Sequence, residues 1–245
     1  MVAAASLLPA SGALAQQPLA TSPPTPVRFD VRPARDGALL GTALALDLVP
    51  TLLQSHLPYA TCAPCSPRGL WGIDRAAVGV VDTGWALASN VALLATGATT
   101  ALFLWTSRQG EDGALRSTVE DLVVLGQASA LADAASAWLK VVVQRPRPPR
   151  YTAEAGLYQD PEYGLSFPSG HATLAFTAAA AYWSIQQRRG QARRHAAQIL
   201  TLFALAGLTA AARVEAHKHF PTDVAAGAAL GTAIGWTWPR LHPLR

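Results

Sequence analysis

From Trp85 to Thr106 the chain runs for 22 residues without a charged side chain. That is about the length an α-helix needs to cross the ~30 Å hydrocarbon core of a bilayer. Ser89 and Asn90 interrupt its apolarity, but polar side chains of this kind are tolerated where helices pack together. A chain containing such a run must bury it in protein or in lipid, and the rest of the sequence repeats the pattern. Gly37–Leu53 is an earlier apolar run, weakened by Asp47 and Pro50. Ser117-x-x-Glu120 has the form of a capping box and predicts a helix from Ser117 to about Val143. Asp133 and Lys140, seven residues apart, fall on one face of it. Uncharged runs follow at about His171–Gln187, Ala196–Ala212 and Val224–Pro239. No period-2 alternation and no internal repeat stands out. The expected fold is therefore an all-α helical bundle, integral to a membrane, with five or six transmembrane helices.

Composition agrees with this. Of 245 residues, 51% are apolar and 14% charged, against roughly a quarter charged in soluble proteins. Mean hydropathy is +0.22, modest for lipid-facing helices alone because alanine supplies much of the apolar content. A net charge of +4 invites a nucleic-acid partner. The arginines, however, cluster in short segments between apolar runs and form no stripe with aromatics, which argues against one. Met1–Ala15 is apolar and ends in Ala13-Leu14-Ala15, an A-x-A cleavage pattern, so residues 1–15 read as a signal peptide despite lacking a basic start. Residues 16–36 read as a linker, 37–114 as N-terminal helices with a cysteine-containing loop, and 115–240 as the catalytic core, with 37–240 forming one domain. The two cysteines, Cys62 and Cys65, are too few for a zinc site. They would form a local disulfide in an oxidising compartment.

Arginines also orient the chain. Gln186–His195 carries Arg188, Arg189, Arg193 and Arg194 with no acid, and the tail adds Arg240 and Arg245. The positive-inside rule assigns both to the cytoplasm. Alternation then assigns Arg145–Pro168, Arg213–Thr222 and the cysteine loop to the outer side. A cleaved N-terminus would also be outside, and Gly37–Leu53 could then not cross once. An uncleaved one lets it cross, giving six spans.

Three clusters hold phosphate-compatible residues. Lys140 and Gln144-Arg145-Pro146-Arg147-Pro148 combine charge with a proline-stiffened exit from the third helix, and Arg offers a planar fork to phosphoryl oxygens. Taken alone, a basic helix end is usually a membrane anchor. Phe167-Pro168-Ser169-Gly170-His171 opens the next apolar run, where helix N–H groups attract anions and His171 is suited to proton transfer. Its bland counterpart is an ordinary Ser/Gly cap. Arg213-x5-His219-x3-Asp223 pairs an imidazole with a carboxylate that can fix its tautomer, as a nucleophile requires. Asp223 could equally cap the last helix. His217 beside His219 suggests metal, but two ligands without a carboxylate cluster make a poor site, so no metal or other cofactor is expected.

Lys140-x6-Arg147-Pro148, Pro168-Ser169-Gly170-His171 and Arg213-x5-His219-x3-Asp223 together resemble the three-part signature of the type 2 phosphatidic acid phosphatase superfamily. That superfamily includes lipid phosphatases, undecaprenyl-diphosphate phosphatases, class A acid phosphatases and vanadium haloperoxidases. The resemblance spans about Leu115 to Trp238 and selects Arg147 over Arg145 and His219 over His217. One departure is Ala212, where the pattern has Ser. The resemblance implies a metal-independent phosphatase in which His219 attacks phosphorus to form a phosphohistidine and Asp223 orients it. His171 would protonate the leaving oxygen and later activate water. Lys140, Arg147, Ser169, Gly170 and Arg213 would hold the phosphoryl oxygens.

The expected substrate is a lipid phosphate or polyprenyl diphosphate, met at the periplasmic face of a bacterial inner membrane. Membrane lipid is the other partner, and no protein partner is inferable. The alternatives are a soluble periplasmic class A-like acid phosphatase, a vanadium haloperoxidase and a non-catalytic membrane protein.

Overall fold

The computed structural model describes residues 27–53, 56 and 62–245, so Met1–Ala15 lies outside the described residues. Among the described residues there are seven α-helices: α1 (Pro33–Leu53), α2 (Gly72–Arg75), α3 (Thr83–Thr106), α4 (Ala114–Val143), α5 (Gly170–Arg188), α6 (Ala196–Glu215) and α7 (Pro221–Leu241). Short 3₁₀ turns fill 148–164. Among the described residues there is no strand beyond one isolated bridge, Phe29 to Leu244. The expected all-α bundle is what forms.

Among the described residues four stretches are long and apolar enough to cross a membrane: Pro33–Leu53, Thr83–Thr106, Ala114–Tyr151, which contains α4, and Ala196–Glu215. α3 shows why they need an apolar surrounding. It buries Ser89, Thr96 and Thr100 and turns Leu87, Val91 and Leu94 outward, the reverse of a soluble helix. Its buried hydroxyls donate to carbonyls one turn back, Thr100 Oγ1 to Thr96 O at 2.7 Å among them, so no polar group is stranded. α5 and α7, expected as spans, have the length but fall outside the apolar set. They form the protein-facing interior of the bundle, where small residues replace large apolar ones.

That interior seam is set by Gly227, Gly231 and Gly235, one per turn of α7. A Cβ at these positions would lie 2.6 Å from Ser169 O, 2.1 Å from Thr173 O and 2.3 Å from Thr177 O. Only glycine lets the two backbones approach so closely. On its other sides α5 touches α3, α4 and α6, and its Ala178–Ala181 stretch is wholly inside. Tyr182, Ile185, Leu104, Val124, Leu202 and Phe29 complete the core toward the end of α5 that carries Arg188.

Two sequence expectations are corrected. α4 starts at Ala114 behind Gly113, which adopts φ 72°. Ser117 therefore lies within the helix and donates to Gly113 O, and Glu120 is drawn into ion pairs with Arg28, Arg116 and Arg245 instead of capping. The linker assigned to 16–36 ends earlier than expected, because Pro33–Asp36 is the first turn of α1. Buried Asp36 explains this: it accepts from Arg32 N at 2.7 Å and from Gln127 of α4. α1 is one continuous helix through Pro50 that packs along α4. Just before it, the chain pairs with the C-terminal tail, Arg245 N donating to Arg28 O at 2.9 Å and Asp30 N to Pro243 O at 3.0 Å. Both termini of the described chain therefore sit at the Arg188 end of the bundle, and α1 runs from there toward the other end.

Candidate active site

The opposite end gathers all three clusters. α5 opens at Gly170 with Ser169 as N-cap, its Oγ 3.5 Å from Ala172 N. The glycine seam presses this turn against the start of α7, where Ser169 N donates to Asp223 O at 3.0 Å. α4 brings Lys140 to the same place, its Nζ 3.3 Å from where a Gly170 Cβ would stand. Any side chain at 170 would displace that ammonium. α6 ends with Arg213, whose Nη1 donates to Ser89 Oγ of α3 at 3.2 Å. The turn after α6 delivers His219, and the 3₁₀ turns after α4 deliver Arg147.

Arginine side chains here are poorly matched. Arg147 Nε and Arg213 Nε are buried without a hydrogen-bond partner. Among the described residues neither Lys140 nor Arg213 has an ion-pair partner. Arg147 has one, the half-exposed Glu162, at 2.8 Å. Arg213, Lys140, Arg147 and Lys218 all lie close enough to act electrostatically on His171. Its Nε2 meets Asn90 Oδ1 at 2.7 Å, which fixes the ring. A buried cluster with excess positive charge and free donors is built to receive an anion.

His219 is buried, and its Nδ1 lies 2.7 Å from Ser166 O. Asp223 Oδ2 is 3.7 Å from the same nitrogen, too far for a hydrogen bond, and acts on the ring through charge. Both neighbours of Nδ1 are acceptors, so that nitrogen carries the proton and Nε2 keeps its lone pair. Burial, reinforced by Arg147 and Arg213, drives the imidazole pKa well below its ordinary value, and Asp223 only partly opposes this. The ring is thus neutral at neutral pH, as a nucleophile must be.

Asp223 differs from expectation in whom it holds. Its carboxylate accepts from Phe220 N at 2.9 Å, from Ser166 Oγ at 2.5 Å and from Arg145 Nη1 at 2.5 Å. It caps α7 and anchors Ser166, whose carbonyl then holds His219. Arg145, set aside in favour of Arg147, is therefore part of the assembly. It also reaches Asp74 at 2.8 Å and stacks 4.3 Å over Phe220. His217 stays apart: with φ 50° its Nδ1 meets Ala77 O at 2.9 Å. Sequence reading missed Ser166, Asn90, Asp74 and Glu162. Ser166 adjoins the second cluster, whereas the others carry no local signal.

Cys62 and Cys65 form a disulfide. Its loop lies on this same end, Cys65 N donating to Arg150 O at 2.8 Å and Arg150 Nη2 to Cys62 O at 2.9 Å. Among the described residues no group of three or more His, Cys, Asp or Glu side chains could hold a metal ion.

A family model described as the PAP2 superfamily matches residues 121–245. No curated protein and no solved structure matches the chain.

Proposed function

Because the chain belongs to the PAP2 superfamily, a phosphatase family, we propose that it hydrolyses a lipid phosphate or polyprenyl diphosphate through a phosphohistidine on His219. The observation that carries this reading is the set of under-neutralised cations, Lys140, Arg147 and Arg213, gathered around two histidines at one end of a bundle with an apolar exterior. His219 Nε2 attacks phosphorus, and Nδ1–H donates to Ser166 O while Asp223 offsets the charge that develops on the ring. The cations and the Ser169–Gly170 turn stabilise the phosphoryl oxygens as their charge spreads in the transition state. His171 gives a proton to the leaving oxygen and then takes one from the water that cleaves the phosphohistidine. Fixed side-chain cations supply the charge that a metal supplies elsewhere, so the activity is metal-independent.

Three features support a membrane location with the site on the outer face of a bacterial inner membrane. Apolar side chains cover α1, α3 and α6. Arg188, Arg189, Arg193 and Arg194 lie at the end away from the site, about 28 Å along the 19-residue α5 at 1.5 Å per residue, which orients that end inward. The disulfide loop packs on the catalytic end, and disulfides persist in oxidising compartments. With α1 crossing, the count is six.

Purified protein in detergent should release phosphate from a polyprenyl diphosphate or phosphatidic acid in the presence of EDTA. Rapid quenching should trap label on His219, and His219→Ala should lose about 10⁴-fold or more in kcat, as acting-as-a-unit sites do. Full activity in His219→Ala would overturn the mechanism. Release from membranes by carbonate would point instead to a soluble phosphatase.

A further inference from the structure

We infer that Asp74 is a positioning residue for this reaction, holding Asp223 and through it His219 by way of Arg145, although it lies far outside the stretch that matches the family. The inference rests on reading His219 as the nucleophile. Asp74 belongs to the short α2 and is 1% exposed, next to an apolar cluster of Leu70, Ala77 and Phe220. A carboxylate so buried needs partners, and its side-chain partners, Arg145 and Thr222, lead to Asp223. Oδ2 accepts from Arg145 Nη2 at 2.8 Å and from Thr222 Oγ1 at 2.8 Å. Oδ1 accepts from Thr222 N at 3.1 Å, satisfying a helix N-terminal donor of α7 from outside that helix. The other nitrogen of the same guanidinium, Nη1, reaches Thr222 Oγ1 at 2.7 Å and Asp223 Oδ1 at 2.5 Å.

The result is a chain of carboxylate, guanidinium and carboxylate with net charge −1. A single fork spanning two fixed acids cannot rotate without breaking charge-assisted bonds to both. It therefore pins the Asp223 carboxylate, which in turn fixes Ser166 Oγ at 2.5 Å and with it the carbonyl that holds His219. The net charge matters as well as the position. His219 feels Arg147 and Arg213, which oppose its protonated form, and Asp223, which favours it. If Asp74 were neutral, Arg145 would cancel Asp223, and the cations would oppose the positive charge that the ring gains when it attacks phosphorus.

Asp74→Asn should lower kcat by about ten- to a hundredfold, the usual effect of removing an outer-shell partner, with KM changed less than about twofold. The acid limb of its pH–rate profile should move to lower pH, because the imidazole loses a net negative neighbour. Asp74→Glu should recover part of the rate and keep the wild-type limb. In Arg145→Gln, adding Asp74→Asn should cost little more, since the connection is already cut. A folded Asp74→Asn protein with wild-type kcat and an unmoved limb, changed only in melting temperature, would overturn the inference. If Asp74→Asn does not fold, Asp74→Glu decides: its longer arm must displace the fork, and an unchanged kcat would count against the inference. The two readings fail separately. An active His219→Ala removes the nucleophile assignment, whereas an inactive His219→Ala with an unaffected Asp74→Asn removes only the role of Asp74.

Discussion

The two ends of the bundle both bury arginines, and they treat them in opposite ways. At the end that carries Arg188, Arg108 donates through Nε and Nη2 to the two oxygens of Asp121 at 3.1 and 3.2 Å and also pairs with Glu111. Arg189 meets the same Asp121, and Arg28, Arg116 and Arg245 share Glu120. At the catalytic end Lys140 and Arg213 meet no carboxylate among the described residues, and Arg147 meets only a half-exposed one. Burying cations beside acids is how a fold tolerates them; burying them apart from acids is costly unless an anion completes the set. Under the proposed function, the difference separates arginines that hold the protein together from arginines left free to receive a phosphate. Arg145 makes the point within the site itself. It lies in the middle of the candidate site yet is neutralised by two carboxylates, which suits it to fixing geometry and not to receiving phosphate.

The sharpest way to break this comparison is to remove one arginine from each end. Arg213→Gln should lower kcat by about 10²–10³-fold, the cost of losing a preorganised donor to transition-state charge, while its melting temperature holds or rises. Arg108→Gln should do the reverse. Asp121 would keep only Arg189, and the loss should stay below the about 3–5 kcal/mol of a fully broken buried pair, with turnover per folded molecule unchanged. Steady-state kinetics and thermal unfolding of both variants in the same detergent would decide. Equal kinetic losses at the two ends would refute the distinction.

A second test separates charge from apposition. Gly231→Val changes the identity of no site residue but drives a side chain into Thr173 O, 2.1 Å from where even its Cβ would stand. Overpacking of this kind costs about 1–3 kcal/mol. It should also spread α5 from α7, parting Ser169 N from Asp223 O, now 3.0 Å apart. We expect a lower melting temperature together with a kcat loss of about tenfold, about 1.4 kcal/mol of barrier. A stability loss with intact kcat would mean that the seam supports the fold without aligning the site.

How much of this was legible in the sequence depends on the range of the interaction. The helices were readable because apolarity is summed over 20 residues, and the three clusters because each residue type serves phosphate chemistry at a helix boundary. What failed was anything decided by partners distant in sequence. Glu120 has the spacing of a capping residue, yet Arg28 and Arg245, from the two ends of the chain, claim it. Arg145 and Arg147 are indistinguishable locally; one is captured by Asp74, 71 positions earlier, and the other is not. The glycines at 227, 231 and 235 were visible but look like ordinary small residues until α5 supplies the backbone they touch.

The pH profile tests the consequence of that charge excess for the nucleophile. Burial and two nearby arginines lower the pKa of His219, and Asp223 offsets only part of this. A lowered imidazole pKa means that protonation, which would remove the attacking lone pair, occurs at more acid pH than for a free histidine. The acid limb of kcat/KM assigned to this group should therefore lie below its ordinary value of about 6.5. Arg213→Gln, if its residual rate is measurable, should move that limb upward, because one of the cations depressing the pKa is gone. A limb at or above 6.5 in the wild type would show that the site is less positive than the uncompensated arginines imply.

The smallest expected effect concerns Glu162, the acid that pairs with Arg147. Glu162 Oε1 lies 2.8 Å from Arg147 Nη1 and 3.9 Å from Lys218 Nζ, in a 3₁₀ turn whose first residues are fixed by Asp160 accepting from Glu162 N. An incoming phosphoryl group must share or displace this carboxylate, so Glu162 competes with the substrate for Arg147. The side chain is 53% exposed, and solvent screening limits such a pair to about 0.2–1 kcal/mol. Glu162→Gln should accordingly tighten competitive inhibition by inorganic phosphate by about two- to fivefold and lower KM by a similar factor, with kcat nearly constant. Weaker phosphate inhibition in Glu162→Gln would show that the carboxylate orients Arg147 for the anion instead of competing with it. The catalytic end would then have, beside the pairs of Arg145, a further structural ion pair of the kind that dominates the other end.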